Sequence, residues 1–307
     1  MRFIAADLGG TTLRCAVAAT DGSLEIVERH ELADARFRGP ERWAAIVAVI
    51  ADFAKAHVRR SPGAPIVLSF PGPLRDGVPW IAPTVTGGGD VPDLGRMITR
   101  ATGRTCTLLN DVSAAAWYFA GRLPARRFGV VTVSSGIGFK VFDRHADPCV
   151  NDDAGEIGHL VIDDAPGAPL CECGGRGHLG AIASGRGIER AARDWARCDR
   201  LTNEEHIVPA FRAGAGWATA IVDAATQPLA HVLATVIVAN GLGCVAVMGG
   251  FAQAAGPAYL ATLQRAIARQ AAPGPARVGP DALLLAAPTA QPSLSGAAIF
   301  GARRLAA

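Results

Sequence analysis

The sequence predicts a mixed α/β protein of two lobes, and three observations carry that expectation. Apolar runs of strand length alternate with stretches whose apolar residues recur at helical spacing. One pattern, an apolar strand, a glycine-containing turn and a returning apolar strand, occurs over residues 2–19 and again over 128–142. Finally, 307 residues, 50% of them hydrophobic, exceed what one hydrophobic core usually organises and exclude intrinsic disorder.

Arg2 to Ala6 reads as a strand ending in Asp7, and Leu13 to Ala19 as its partner across Gly9-Gly10; Asp21-Gly22 then turns into Leu24 to Glu28. Arg42 to Arg59 carries Trp43, Ile46, Val47, Ile50, Phe53 and Ala54 at helical spacing with one apolar face. Pro65 to Phe70 is a central strand, Leu94 to Ala101 a short helix, Cys106 to Leu109 a strand and Val112 to Gly121 a helix. The second pattern follows: strand Phe128 to Val133, turn Ser134 to Gly138, strand Phe139 to Phe142. Helices are expected at Gly187 to Ala196, Glu204 to Arg212, Gly214 to Ala239 and Pro257 to Gln270, with a strand at Cys244 to Met248 and a Pro/Gly/Ala loop at 271–280. The small-residue amphipathic helix Ser293 to Leu305 is expected to return to the first lobe. The lobes are therefore placed at 1–112 and 113–292, with a ligand cleft between them.

Composition narrows the function. Lys plus Arg is 30 against 27 Asp plus Glu, a net charge of +3, too weak for affinity built on neutralising many phosphates, so no nucleic-acid partner is expected. The N-terminal apolar stretch is broken by Asp7 and two glycines, unlike an export signal, and the run around Leu229 to Ala239 is too short to span a bilayer. A cytoplasmic protein without a membrane partner is expected. Seven cysteines in such a chain favour metal or core roles over a disulfide framework. Only Lys55 and Lys140 are lysines.

Four segments carry chemistry. Asp7-Leu8-Gly9-Gly10-Thr11-Thr12 suits either a plain hairpin turn or a phosphate cradle of amides and hydroxyls, with Asp7 placed to orient hydrated Mg²⁺. Ser134-Ser135-Gly136-Ile137-Gly138 offers the same choice. Asn110-Asp111, at a strand-to-helix junction, suits an N-cap or a general base. Cys171 and Cys173 in a glycine-rich turn, with His159 and His178 nearby, suit a closed N₂S₂ site for structural Zn²⁺.

In order and spacing these segments resemble the ROK family (repressors, open reading frames and sugar kinases) of the hexokinase and actin-like superfamily. The resemblance rests on DLGGTTLR at 7–14, SFPGP at 69–73, Asn110-Asp111, the SGIG turn, AGEIGH at 154–159, CECGGRGH at 171–178, ASGRGI at 183–188 and VMGGFA at 247–252. It implies two actin-like (ribonuclease H-like) lobes and an ATP-dependent kinase that phosphorylates a hydroxyl, usually the primary one of a hexose, commonly as a homodimer. Asp111 is implied as the base. Asn110, Glu156 and His159 are implied to bind sugar hydroxyls, Gly9, Gly10, Thr11, Thr12, Ser134, Ser135 and Gly136 the ATP phosphates, and Gly249 and Gly250 the adenosine. His159, Cys171 and Cys173 match the zinc ligands of the family.

Four departures from the family pattern stand out, one at the zinc ligands and three on the acceptor side. His178 stands in place of a third cysteine, Gly180 in place of a second sugar-binding glutamate, Thr84 in place of a sugar-binding asparagine, and Asp152 in place of a glycine. Imidazole also ligates zinc, so a Cys₂His₂ site is expected to survive. The other three changes point to an altered acceptor, an amino sugar or a cyclitol, with Asp152 placed to pair an ammonium group; glucose, with neighbouring groups or waters replacing the lost contacts, is the competing expectation.

Overall fold

The computed structural model describes residues 2–57, 59–60, 63–80, 90–270 and 282–306. Thr84, the glycines at 87–89 and the 271–280 segment lie outside the described residues. The chain divides into two compact units, Met1–Pro124 with Val150–Asp153 and Gln291–Ala307, and Ala125–Cys149 with Ala154–Ala290.

The first unit is built on a five-stranded sheet of β1 (Arg2–Leu8), β2 (Thr12–Ala19), β3 (Leu24–Glu31), β4 (Ile66–Phe70) and β7 (Cys106–Asn110). Its order is β3-β2-β1-β4-β7, with β1, β4 and β7 parallel. A small hairpin of β5 (Leu74–Arg75) and β6 (Val78–Pro79) interrupts the path. Successive strand residues face opposite sides. Thus Ile4, Ala6, Leu8, Ile66 and Leu68 pack beneath α1 (Arg42–Ala56) and α2 (Leu94–Thr102), while Phe3, Ala5, Ala16, Ala18 and Val67 form a second core with the closing helices. All six residues expected on the apolar face of α1 are buried.

The boundary between units falls after α3 (Asp111–Ala120), not before it as the periodicity suggested. The reason is close packing of α3 against α9 (Pro292–Ala306): a Cβ on Gly296 would stand 1.7 Å from the Ala114 carbonyl oxygen, so only glycine permits the approach.

The second unit has a four-stranded sheet, β11-β10-β8-β9, from β8 (Arg127–Val133), β9 (Ile137–Asp143), β10 (Cys244–Met248) and β11 (Leu283–Leu285). Five helices accompany it: α4 (Leu179–Ala183), α5 (Gly185–Ala196), α6 (Val208–Arg212), α7 (Gly216–Asn240) and α8 (Gly250–Gln270). A π-type turn at Asn203–Ile207 replaces the first half of the helix expected from Glu204. Helix α8 starts earlier than expected and breaks at Gly256 (φ +71°), just before Pro257. Helix α7 runs 25 residues and is apolar enough to cross a membrane by composition, yet half of its most apolar window is buried. Its Val222, Leu229 and Leu233 pack in one core with Val131, Val245 and Leu263.

Candidate active site

In the first unit, strand register brings the chemistry to one end of the sheet. Asp7 lies opposite Arg14 on β2 and Ser69 on β4, and Phe70 lies opposite Asn110 on β7. Asp7, Ser69 and Asn110-Asp111 therefore stand at the carboxyl ends of three parallel strands, where open α/β sheets present ligand-binding groups. Asp7 is 5% exposed. The Arg14 guanidinium donates to its Oδ2 at 2.9 Å and the Ser69 hydroxyl to its Oδ1 at 2.7 Å. Burial pushes its carboxyl above the ordinary carboxylate range, against the lowering pull of Arg14 and the Ser69 hydrogen bond. The adjoining turn is closed by the Gly9 amide donating to the Thr12 carbonyl at 2.8 Å. Gly10 is half-buried in that turn, Thr12 is buried, and the Thr11 side chain is exposed with its hydroxyl 3.2 Å from that of Thr12.

Asn110 is the N-cap of α3 and Asp111 its first residue. The Asn110 Oδ1 accepts from the Val112 and Ser113 amides at 2.9 and 3.2 Å, and its Nδ2 donates to the Gly72 carbonyl at 3.0 Å. Capping is therefore real, and it leaves the amide one N–H to offer elsewhere. The Ser113 hydroxyl donates to Asp152 Oδ1, which ties the 150–153 segment to the first unit. Asp152, expected to be available to an acceptor ammonium, thus has one oxygen engaged by a neighbouring helix.

In the second unit, the Ser134-Ser135-Gly136 turn joins β8 to β9, and the Ser134 carbonyl accepts from the Gly185 amide at 2.7 Å. Gly249 follows β10 at φ +107°; a Cβ there would lie 2.6 Å from the Val133 carbonyl oxygen, and one on Gly250 would lie 3.6 Å from the Ser134 hydroxyl. The two glycine clusters expected to serve ATP are thus neighbours at one end of this sheet.

The AGEIGH segment lies directly on β9. A Cβ on Gly155 would stand 1.9 Å from the Phe139 carbonyl oxygen and one on Gly158 2.2 Å from that of Ile137. Glu156 precedes the 3-10 turn Ile157–His159, and its carboxylate lies 3.4 Å from the Lys140 ammonium. The chain then forms bridges between Val161 and His178 and between Leu170 and Arg176. These gather His159, Cys171, Cys173 and His178, whose ligand atoms all lie within 4.8 Å of one another. Cys173 Sγ is 3.2 Å from His178 Nδ1 and Cys171 Sγ is 3.9 Å from His159 Nδ1. A Cβ on Gly175 would collide with the His178 ring at 2.3 Å, so this glycine makes room for the histidine. Ligand atoms around tetrahedral zinc stand about 3.3–3.8 Å apart, so the set needs to contract by at most about 1.5 Å; two sulfurs and two imidazoles are the right donors for that ion. Burial pushes the His159 imidazole down, toward the neutral form a metal requires, against the pull of Glu156. Gly180, at the position where a second glutamate was expected, is tight against the backbone, since a Cβ there would lie 3.1 Å from the Gly158 carbonyl oxygen.

Arg14, Ser69, Ser113 and Lys140 did not emerge as site residues from sequence. Arg14 had a signal, because 7 and 14 are symmetric about Gly10-Thr11, the centre of the four-residue Gly9–Thr12 turn. Ser69 had another, as a hydroxyl inside an otherwise apolar strand.

Comparison with known proteins identifies the family. The ROK family model matches residues 3–304. A C(7)-cyclitol 7-kinase of Streptomyces hygroscopicus subsp. limoneus is 37% identical over 295 residues, covering 85% of this chain and 82% of the relative. An N-acetylmannosamine kinase of Citrobacter koseri is 32% identical over 277 residues, covering 89% and 90%. The crystal structure of a ROK hexokinase from Thermus thermophilus superposes with a TM-score of 0.76 at 29% identity, covering 100% of this chain and 99% of the other. The α/β, actin-like fold class implied by the sequence holds, and the chain belongs to the ROK family.

Proposed function

We propose that the protein is an ATP-dependent carbohydrate kinase that transfers the γ-phosphoryl group to a hydroxyl, of the primary type, on a hexose-like acceptor: a hexose, an amino sugar or a cyclitol. The observation that carries this reading is Asp111, set as the first residue of α3 at the carboxyl end of β7, beside an asparagine that already caps the helix. Asp111 shares the capping, its Oδ1 accepting from the Val112 amide at 2.9 Å, but Asn110 already accepts from that same amide and from Ser113, so the helix end does not depend on the aspartate. Relatives named as cyclitol and N-acetylmannosamine kinases, at 37% and 32% identity, support the same chemistry.

On this reading Asp111 takes the proton of the attacking hydroxyl. The remaining Asn110 N–H and the Glu156 carboxylate hold other acceptor hydroxyls, as do Thr84 and the ring nitrogen of His159 not turned to a metal; Asp152, one oxygen of which Ser113 engages, is a further acceptor contact on this reading. Gly9, Gly10, Thr11, Thr12, Ser134, Ser135 and Gly136 receive phosphate oxygens, with Gly249 and Gly250 serving the adenosine. Mg²⁺ would supply charge neutralisation of the phosphates. Asp7 fits it as a group that accepts from metal-bound water, because Arg14 and Ser69 already occupy one site on each of its oxygens. Zn²⁺ would be held by His159, Cys171, Cys173 and His178 and would supply rigidity to the loop carrying Glu156. A cytoplasmic homodimer completes the reading, and its mass in solution is measurable by light scattering.

The test is a coupled ADP-release screen with Mg-ATP against hexoses, N-acetylhexosamines, amino sugars and cyclitols. Saturable ADP release with one of these is expected. Rates no higher than the acceptor-free background across the panel would contradict the proposal.

A further inference from the structure

Lys140 is the only buried lysine of the two in the chain; Lys55 is exposed. Its side chain is 2% exposed, a placement that costs several kcal/mol unless the ammonium is paired and hydrogen-bonded. The pairing is specific. The ammonium donates to the Ala154 carbonyl and lies 3.4 Å from Glu156 Oε1, two contacts with the loop that Gly155 seats against β9. Glu156 itself is 40% exposed, so it presents a carboxylate at the surface while the charge that balances it comes from below.

We infer that Lys140 is a positioning and specificity-determining residue for the acceptor, an inference that rests on the kinase reading above. It holds the Glu156 carboxylate in place and cancels its charge. A carboxylate balanced in this way still accepts hydrogen bonds from hydroxyl groups, but it has little net charge left to attract an ammonium. The acceptor class that suits it is a neutral polyol rather than an amino sugar.

The experiment has two arms. In the first, wild-type and Glu156→Gln proteins are labelled with lysine carrying ¹³Cε and ¹⁵Nζ, which gives one side-chain signal from Lys140 and one from Lys55. The Lys140 signal is expected to shift in the variant and the Lys55 signal to stay. An unmoved Lys140 signal overturns the pairing, whatever the protein catalyses. In the second, wild-type and Lys140→Met proteins are compared by ADP release on glucose and glucosamine, with melting temperatures taken alongside. The glucosamine-to-glucose ratio of kcat/KM is expected to rise about fivefold in the variant, the scale of one partly exposed ion pair, with the KM for ATP within about twofold. An unchanged ratio, or equal rises in KM for acceptor and ATP, overturns the specificity role. A wild-type protein silent on every acceptor defeats the kinase reading instead, and the labelled-lysine arm still decides the pairing.

Discussion

Gly155→Ala tests whether the loop carrying Glu156 is held by its contact with β9. The added Cβ would stand 1.9 Å from the Phe139 carbonyl oxygen, against a usual minimum of 3.0 Å, so the loop has to lift by about 1 Å. That lift breaks the alignment of Glu156 with Lys140, and a 1 Å misplacement of a positioning group costs about 100-fold in rate. The backbone sits at φ +91°, where an L-residue costs about 1–2 kcal/mol. For a chain of this size that lowers the melting temperature by about 1.5–3 °C. The assay is kcat/KM for the acceptor at saturating ATP, with calorimetry in parallel. Gly167→Ala is the control: its Cβ meets nothing within 4 Å and its backbone is not at positive φ, so it should change stability by no more than about 0.5 kcal/mol. If Gly155→Ala melts at the wild-type temperature and keeps its acceptor kcat/KM, the seating of the loop is not what positions Glu156.

Three further outcomes are expected. Removing zinc with a chelator should raise the acceptor KM by about 10–100-fold and expose Cys171 and Cys173 to a thiol reagent, while Cys15 and Cys106, whose thiols burial pushes up to about 12, stay silent; equal thiol counts before and after chelation would argue against the site. Burial raises Asp7 above its unfolded value, so its contribution to stability is full below that value and lost as pH rises through the folded-state range. Asp7→Asn should therefore flatten the melting temperature across that window while lowering turnover, and a pH profile identical to wild type would contradict the assignment. Gly296→Ala, whose Cβ would lie 1.7 Å from the Ala114 carbonyl, should destabilise the first unit by about 1–3 kcal/mol, as read by chemical denaturation; an unchanged midpoint would show that α3 and α9 are not in that close contact.

Most strands and helices could be read from spacing because each reports a local period. The Gly9-Gly10 hairpin, the buried face of α1 and the strand-to-helix junction at Asn110-Asp111 are of this kind. What could not be read is what depends on partners. Helix α3 has a period but no label for the helix it packs against, so its place in the first unit followed only from Gly296 and Ala114. The four zinc candidates were found from their chemistry, although their spacing follows no finger pattern, because Cys-x-Cys and histidine have few other reasons to sit among glycines. Lys140 stayed hidden because a lysine in an alternating strand reads as a solvent-facing position, and only the loop folded over it shows why it is buried. Asn110 was read both as a cap and as a ligand. The geometry makes it a cap, with one N–H left over.

The central claim is that Asp111 removes a proton from an acceptor hydroxyl as phosphate is transferred from ATP. The most direct measurement is single-turnover phosphorylation of the preferred acceptor by wild-type and Asp111→Asn proteins, with acceptor Kd determined for both. The expected rate for the variant is lower by at least about 100-fold, the lower end of general-base contributions, with Kd changed by no more than a few-fold. Near-wild-type phosphorylation by Asp111→Asn would contradict it.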